Sequence, residues 1–358
     1  MERLGLVGLP NSGKTSLFNA LTGAEGPVAP HPFTTTETAV AVAPLPDARL
    51  DALAAMSASR KVVRASMEVV DIAGLVPGSS TGEGLGNRFL AGIREVDAVC
   101  VVLRAFPDPS VPGEDDPVGA LSSLELELVL ADLATVEAQI DKRRKAARAD
   151  KSLAGEVSAM EAAYESLSAG VPLYRAPDDP DRRAGRRGLF LLTDKPVLAV
   201  VNLGEDQLEK ADAVVEAVSV ALEGHGEVLG ACVQLEAEAA RLAPGERAEL
   251  LEGLGLGEGA LARVAQRAYA LLGRRVFFTT GDKESRAWSF RAGSNAAECA
   301  GVIHSDLQRG FIRAEVIGWE ELVAIGSWAQ AKASGRIRLE GKDYVVEDGD
   351  VLEIRFNV

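Results

Sequence analysis

The chain has few cysteines, few histidines and no long apolar run, which argues against a disulfide-rich protein, a Cys/His metal site and a membrane-spanning protein. Its 358 residues include three cysteines and three histidines. Cys100, Cys232 and Cys299 lie far apart, with neither disulfide nor metal-ligand spacing, which favours buried thiols in a reducing compartment. No apolar run approaches the roughly 18 residues of a membrane span, and no charged-then-apolar leader opens the sequence. We therefore expect a cytoplasmic protein with no membrane partner.

Positive charge is also scarce. The 38 Lys and Arg residues face 53 Asp and Glu residues, for a formal net charge of −15. This balance excludes a protein that coats nucleic acid non-specifically, because neutralising phosphates needs clustered basic side chains. Two basic stretches remain, "DKRRKAARADK" at 141–151 and "DRRAGRRG" at 181–188. Each is either a solvated face or a contact for RNA.

Short apolar runs alternate with helical spacing, as in an α/β domain. The pattern predicts a helix at 15–21 and strands at 3–9, 66–72, 98–103, 195–203 and 227–235. Leucines at helical spacing between 121 and 167 predict two long helices joined near Asp150, which form a hairpin inserted into the α/β domain. The stretch 176–188 predicts an exposed loop.

The domain organisation follows from these patterns. Beyond about residue 275, short strands, turn glycines and one helical stretch near 296–310 predict a small α+β module. We therefore assign residues 1–120 and 191–274 to a discontinuous nucleotide-binding domain, 121–190 to the helical insertion and 275–358 to the C-terminal module.

Residues 8–15, "GLPNSGKT", match the phosphate-loop pattern G-x-x-x-x-G-K-[ST] at every fixed position. The match lies between a predicted strand and a predicted helix, which is the context the motif requires. Backbone amides of such a loop surround phosphate, and the helix N-terminus adds positive potential. Lys14 is expected to reach the outer phosphates, and the Thr15 hydroxyl to bind Mg²⁺.

Two further segments fit a nucleotide switch. Asp71 ends an apolar strand and suits Mg²⁺ binding, while Gly74 follows at the spacing of a γ-phosphate sensor. In "PFTTTE", Thr34, Thr35 and Thr36 all compete to complete the metal shell. Leu75 occupies the position where Ras-like proteins carry a water-orienting Gln, so no catalytic residue is assigned. Either hydrolysis is slow or the attacking water is positioned by another route.

The sequence at 202–205, Asn-Leu-Gly-Glu, stands where GTPases read guanine with Asn-Lys-x-Asp. Leu203 replaces the Lys, and Glu205 replaces the Asp with a carboxylate displaced by one methylene. A two-hydrogen-bond contact does not tolerate that displacement, so discrimination for guanine is expected to be lost. Asn202 is still able to hydrogen-bond to adenine.

These segments, with "VDIAGLVPGSSTGEGLGNRFLAGIREVDAV", "VNLGE" and "GFIRAEVIGWEEL", together resemble the YchF/Obg-like ATPase family over nearly the whole chain. The resemblance implies an α/β fold. It comprises a P-loop GTPase-like, mostly parallel sheet, an inserted helical coiled-coil hairpin, and a C-terminal β-grasp module called a TGS domain.

The resemblance also implies site residues. Mg²⁺ ligands fall on Thr15 and Thr35, beside Asp71. Contacts to phosphate are implied for Asn11, Ser12, Gly13, Lys14, Thr15 and Ser16. Contacts to the base are implied for Asn202, Leu203, Glu205, Cys232, Val233 and Gln234. The segment "CVQLEAE" departs from the Ser-Ala-Lys-like family pattern there, and Pro77 stands where Lys is common.

Family membership would make the chain a slow, Mg²⁺-dependent ATPase and a monomer. It would bind ATP and ADP, bind GTP more weakly, and act as a switch on the ribosome or its large subunit. Asn11 either helps to hold K⁺ against the phosphates, as in several hydrolases that lack the catalytic Gln, or only shapes the loop. The alternative function is a GTP-binding regulatory protein with incidental hydrolysis.

Overall fold

A computed structural model of the protein describes residues 2–24, 38–73, 85–111, 113, 115–177, 179–254, 256–257 and 259–357. Within these residues the strands, in chain order, are β1 (Arg3–Val7), β2 (Ala39–Pro44), β3 (Val62–Val63), β4 (Ser66–Asp71), β5 (Ala98–Arg104), β6 (Val197–Asn202), β7 (Glu227–Ala231), β8 (Arg274–Thr279), β9 (Ser285–Arg291), β10 (Phe311–Gly318), β11 (Arg338–Glu340) and β12 (Asp350–Phe356).

The α-helices in the same described part of the chain are α1 (Lys14–Thr22), α2 (Ala48–Met56), α3 (Leu85–Arg94), α4 (Pro117–Ala149), α5 (Ala154–Ser168), α6 (Pro180–Arg186), α7 (Ala211–Ala221), α8 (Val233–Ala239), α9 (Pro244–Gly253), α10 (Ala260–Leu271), α11 (Ala296–Ile303), α12 (Ser305–Arg309), α13 (Trp319–Ile325) and α14 (Trp328–Ala333). None of the described helices is both long and apolar enough to cross a bilayer.

The chain divides into two compact units, Met1–Ala43 with Glu68–Val264, and Pro44–Met67 with Ala265–Val358. The first unit contains a six-stranded sheet with the strand order β2-β4-β1-β5-β6-β7. Strand β1 pairs in parallel with β4 and β5, and the parallel pairing continues from β5 through β6 to β7. Strands β5 and β6 are buried along their whole length, as expected for strands covered on both faces.

This topology confirms the expected α/β fold class and its mostly parallel sheet. The carboxyl ends of β1, β4, β5, β6 and β7 lie along one edge of the sheet, because these strands run in the same direction. Ligands of open α/β sheets bind at such an edge. The fifth predicted strand, 227–235, is wrong beyond Ala231, since the chain turns at Cys232 into α8.

The helical hairpin is confirmed. Helix α4 ends at Ala149. The Asp150 carboxylate accepts a hydrogen bond from the N–H of Ser152 in the turn that follows, and α5 then runs back to Ser168. The two helices share a buried apolar cluster that includes Val136, Ile140 and Met160. Leu130, which the leucine spacing placed on the apolar stripe, is instead 45% exposed.

The beginning of α4 has a different role from its end. Leu121, Leu124 and Leu128 pack in the same buried cluster as the core strands of the sheet. The carboxylate of Asp132, completely buried, accepts hydrogen bonds from the backbone N–H groups of Leu192 and Thr193 at 2.8 Å. The start of the insertion is therefore part of the core of the nucleotide-binding domain.

The expectation of an exposed loop at 176–188 is wrong. Residues Pro180–Arg186 form α6, which Asp179 caps by accepting from the N–H groups of Asp181 and Arg182. The Arg186 side chain is buried and donates two hydrogen bonds to Asp194, at 2.7 and 3.0 Å. An Asp at the cap and a proline at the first position are ordinary signals for the start of a helix. The loop prediction gave more weight to the charged, Pro- and Gly-containing composition of the stretch than to these signals.

The second unit has a six-stranded sheet with the order β11-β10-β12-β8-β9-β3. Strands β8 and β9 form an antiparallel pair, β12 runs parallel to β8, and β10 runs antiparallel to β12. Helix α11 packs on this sheet, where Cys299 is buried beside Phe277 and Phe290. This is the strand-strand-helix-strand pattern of a β-grasp fold, and it confirms the expected C-terminal module.

One segment groups differently from the division proposed above. Residues 44–67, assigned to the nucleotide-binding domain, belong to the second unit. Strand β3 pairs with β9, and Arg49 bonds Asp348 at 2.7 Å. The hydroxyls of Ser59 and Ser285 also lie 2.7 Å apart. The separation of the insertion as a third domain remains a prediction.

Candidate nucleotide-binding site

The phosphate loop connects β1 to α1 and has the backbone that its glycines permit. A Cβ atom at Gly8 would overlap the carbonyl oxygen of Val102, and one at Gly13 would overlap the amide nitrogen of Asn202. Gly13 also has φ of +95°, a left-handed conformation that favours glycine. Asn11 has φ of +59°, which Asn tolerates better than most residues. These close approaches and the left-handed angle of Gly13 explain why glycine stands at positions 8 and 13 of the loop.

Lys14 is the buried cation of this loop, with a relative exposure of 6%. Its ammonium donates to the carbonyl oxygen of Leu9 at 2.9 Å. Burial lowers the pKa of Lys14 to about 8, an effect that the nearby Asp71 carboxylate partly opposes. A phosphate in the loop would supply the counter-charge that this buried ammonium needs.

Thr15 and Asp71 meet as the expected metal site requires. The Thr15 hydroxyl donates to Asp71 Oδ2 at 2.7 Å. The other carboxylate oxygen, Oδ1, is buried without a hydrogen-bond partner among the described residues. Burial raises the pKa of Asp71, and the Thr15 hydrogen bond and the Lys14 charge counteract that rise.

This pair fits Mg²⁺, because a hydroxyl that donates its proton to Asp71 keeps its lone pairs for a cation, and an unpartnered carboxylate oxygen lies beside it. No cluster of three or more His, Cys, Asp or Glu side chains suited to a metal occurs in the described part of the chain. A P-loop metal does not require such a cluster, because substrate phosphates complete its shell.

Asn202 lies at the end of β6 and is 5% exposed. Its side-chain amide donates to the carbonyl oxygen of Ser12 at 3.0 Å, and its Oδ1 accepts from the N–H of Val233 at 3.2 Å. Asn202 therefore ties the phosphate loop to the start of α8. These two hydrogen bonds account for the position of the Asn202 side chain, and its contact to the base remains a prediction.

The two residues that distinguish this segment from a guanine-reading motif lie in different surroundings. The Leu203 side chain is 2% exposed and packs in the core of the sheet. Glu205 is exposed at the start of a short 3₁₀ helix. The N–H of Leu203 donates to the carbonyl oxygen of Ala231 at 2.9 Å, so Glu205 is the residue of this pair whose side chain is exposed at the edge.

The third implied segment begins α8. Cys232 and Val233 are buried, whereas the Gln234 side chain is exposed and donates to Glu238 at 3.4 Å. Burial raises the pKa of the Cys232 thiol. Thr34, Thr35, Thr36, Gly74, Leu75 and Pro77 lie outside the described residues.

Three residues that the sequence analysis did not name also shape this edge. The Arg104 guanidinium lies 4.6 Å from the ring centroid of Phe106 and donates to the carbonyl oxygens of Phe106 and Val111 at 3.1 and 3.0 Å. Gln207 accepts from Gly204 N–H and donates to the carbonyl oxygen of Ala105, both at 2.8 Å. In the sequence, the charged Arg104 at the end of the apolar run "AVCVVLR" was the feature that could have pointed to this edge.

Two family models match the chain. Residues 3–152 match a family described as a 50S ribosome-binding GTPase. Residues 275–357 match the family YchF-GTPase_C, described as a protein of unknown function. The first match includes the phosphate loop and Asp71, and the second includes β8 from its second residue and strands β9 to β12.

Several full-length relatives are named ribosome-binding ATPase YchF. The chain is 43% identical over 361 residues to the ribosome-binding ATPase YchF of Bacillus subtilis, with 99% of each chain covered. It is 41% identical to the protein of the same name from Escherichia coli O157:H7, again with 99% of each covered. The solved structure of the Schizosaccharomyces pombe YchF GTPase superposes with a TM-score of 0.84 at 30% identity, covering 99% of this chain and 97% of that one.

Proposed function

The chain belongs to the YchF family, and from that premise we propose that it is a Mg²⁺-dependent P-loop ATPase that acts as a nucleotide-dependent switch on the ribosome. The observation that supports the chemistry best is the phosphate loop, where the buried Lys14 and the Thr15–Asp71 pair lie together. Relatives more than 40% identical over 99% of this chain are named ribosome-binding ATPases.

The described residues have separate tasks in this proposal. Loop amides and the N-terminus of α1 hold the phosphates, and the Lys14 ammonium offsets their charge. The Thr15 hydroxyl and Asp71 hold Mg²⁺. When bound, that ion neutralises charge that develops on the phosphates during transfer. Asn202 keeps the loop in place through Ser12. Thr35 and Gly74 remain predicted contacts for the metal and the γ-phosphate.

ATP is the proposed nucleotide, with ADP as product and weaker binding of GTP. The guanine-reading Asp is absent, and Glu205 has an extra methylene at that position. Leu203, at the position of the usual Lys, turns its side chain into the core instead of toward the edge. The second candidate, a GTP-binding regulatory protein, is favoured by the description of the matched N-terminal family as a GTPase.

The switch requires a partner that distinguishes nucleotide states, because a ligand that binds two states equally shifts nothing. We propose the ribosome, through its large subunit, as that partner for a cytoplasmic, monomeric protein. Leu75 at the position of the usual Gln supports slow hydrolysis, which would give a long-lived ATP state. For Asn11 two roles remain proposed: it holds K⁺ against the phosphates, or it only shapes the loop.

Affinities for ATP, GTP and ADP measured side by side on nucleotide-free protein test the chemistry. We expect ATP to bind more tightly than GTP, and Lys14→Ala to abolish tight binding of both. Equal or tighter binding of GTP would overturn the ATPase proposal in favour of the regulatory GTP-binding protein.

Co-sedimentation with ribosomes tests the switch independently. Protein loaded with an ATP analogue, with ADP or with no nucleotide is expected to pellet to different extents. Identical pelleting in all three states, or none in any, would remove the ribosomal switch and leave the ATPase proposal standing.

A further inference from the structure

Phe190 is an exposed aromatic residue held between buried neighbours. Leu189 and Leu191 pack in the apolar cluster of the hairpin, and Leu192 packs in the core of the sheet. Phe190 itself is 64% exposed. The run "LFLL" at 189–192 is therefore anchored by its three leucines, which leave the phenyl ring in solvent.

The backbone at Phe190 is also unusual. It has φ of +51° and ψ of +45°, the left-handed helical region that Gly and Asn occupy far more readily than a bulky residue. An exposed ring returns little burial energy to offset this cost. Local stability would thus favour Gly or Asn here. The phenyl ring is better explained by a contact to another molecule.

Several arginines precede this position in the chain. Arg187 is exposed three residues earlier, and its carbonyl oxygen accepts from the N–H of Phe190 at 3.3 Å. Arg182 and Arg183 on α6 keep about half of their side-chain area exposed, at 54% and 52%. Asp179 and Asp194 neutralise part of this charge, and of the four arginines in the segment 179–188, Arg182, Arg183 and Arg187 are exposed whereas Arg186 is buried against Asp194.

The fold adds a second basic segment to this one. The backbone of α6 approaches α5 closely at Gly185, where an added Cβ would lie 2.9 Å from the Cβ of Ala159 and 3.5 Å from the Cα of Glu156. Glu156 in turn bonds Arg143 of α4 at 3.4 Å. The stretches 141–151 and 181–188, separate in the sequence, therefore lie at the same end of the hairpin. The exposed cations on α4 there include Lys142, Lys145 and Arg148.

We propose that Phe190 and its flanking arginines bind an unpaired nucleotide of RNA. The phenyl ring stacks on the base, and Arg183 and Arg187 contact the adjoining phosphates. Splayed bases of single-stranded loops are what aromatic side chains recognise in RNA. An anionic membrane is the less suitable partner, because interfacial binding needs a broad apolar face, whereas Phe190 is a single exposed ring that follows the charged segment 179–188. The proposal rests on the proposed ribosome association for the source of the RNA.

Binding of three fluorescent or sedimentable probes tests this proposal on the full chain. The probes are a single-stranded oligoribonucleotide of about 12 nucleotides, the duplex form of the same sequence, and vesicles rich in phosphatidylserine. Phe190→Asn is expected to weaken binding of the single strand about 10-fold. We expect Phe190→Trp to preserve it and Arg187→Gln to weaken it more at low salt than at high salt. Val220→Ala, which trims another exposed apolar residue, serves as the matched control.

Phe190→Asn should unfold at the same temperature as the wild type or higher, because Asn tolerates the left-handed backbone. Should it fold poorly, Arg187→Gln and Phe190→Trp still decide the question. An equal affinity of wild type and Phe190→Asn for the single strand would overturn the proposal. So would Phe190-dependent binding to vesicles without binding to RNA.

Ribosome pelleting of the same variants separates this inference from the proposed function. Wild-type pelleting combined with no effect of Phe190 on the single strand would overturn the inference alone. A wild-type chain that does not pellet would overturn ribosome association. Phe190-dependent affinity for the single strand would support the RNA site in either case.

Discussion

The hydroxyl of Thr15 donates to a carboxylate oxygen of Asp71 at 2.7 Å, although 56 residues separate the two along the chain. Thr15 is the second residue of α1. Asp71 is the last residue of β4, which lies next to β1 in the sheet. The hydrogen bond fixes the direction of the Thr15 proton and so leaves the lone pairs of the hydroxyl for a metal ion.

Asp71→Asn and Thr15→Ala are therefore expected to weaken Mg²⁺ binding in the nucleotide complex about 10- to 100-fold. Titration of ATP hydrolysis with Mg²⁺ measures this as a shift of the half-saturating concentration. Thr15→Ser keeps the hydroxyl and should stay within a few-fold of the wild type. An unchanged Mg²⁺ requirement in Asp71→Asn would contradict the assigned site.

Asn202→Ala tests whether this amide positions the loop or contacts the base. Removing it leaves the Ser12 carbonyl and the Val233 N–H without their buried partner, at a cost of about 1–3 kcal/mol. If Asn202 acts through the loop, the affinities for ATP, GTP and inorganic tripolyphosphate all fall by a similar factor, near 10-fold. Calorimetry with the three ligands would measure it, and a loss confined to ATP would identify a base contact instead.

Leu203→Lys, the substitution that would restore the guanine-reading pattern, is expected to damage the fold. The side chain is 2% exposed in the core, and an unpaired ammonium there would lower the free energy of unfolding by about 3 kcal/mol. Chemical denaturation measures this, with Leu203→Met as the control that keeps volume and polarity. Glu205→Asp, at an exposed position, is the cleaner probe of nucleotide preference. Wild-type stability in Leu203→Lys would show that the side chain leaves the core at little cost.

Glu315 in the second unit predicts a pH dependence of stability. Burial acts to raise its pKa, but hydrogen bonds from Lys332 at 2.9 Å and Arg355 at 3.2 Å prevail, and the pKa lies below its ordinary value of 4.5. A depressed carboxyl pKa stabilises the folded state above the unfolded-state value, and that stabilisation is lost as the pH falls through the lowered one.

Stability of the wild type should thus fall more steeply below about pH 4.5 than that of Glu315→Gln, which lacks the titrating group. Thermal unfolding at a series of acid pH values measures the difference. Glu353→Gln, a more exposed neighbour that also pairs with Arg355, is the control. Parallel curves for wild type and Glu315→Gln would show that this carboxylate contributes nothing to acid sensitivity.

Deletion of residues 121–190 is expected to prevent folding and not merely to remove an output surface. It would take Leu121, Leu124 and Leu128 from the core, and each such loss costs about 2–5 kcal/mol against a total stability of about 5–15 kcal/mol. Circular dichroism and solubility of the shortened chain test this. Substitution of Lys142, Lys145 and Arg148 by Gln should leave folding intact and is the sounder variant for ribosome binding. A soluble, cooperatively folding deletion would show that the insertion is a separate domain.

Residues 8–15 were predictable from the sequence, because a phosphate loop is contiguous and its glycines, Lys14 and Thr15 act through the local backbone. Strand ends such as Asp71 were predictable for a related reason, since apolar runs in a parallel sheet place their last residues at one edge. The hairpin followed from helical spacing alone. These features follow from local backbone patterns and from the common direction of strands in a parallel sheet.

Only the tertiary structure decided how distant segments use their polar groups. Asn202 bonds to a loop 190 residues away, the Leu203 side chain packs in the core, and β3 (Val62–Val63) pairs with β9. Phe190 belongs to an apolar run, yet it is the member of that run left in solvent. Burial and long-range hydrogen bonds depend on which faces of the elements meet, and spacing within one element does not specify that meeting.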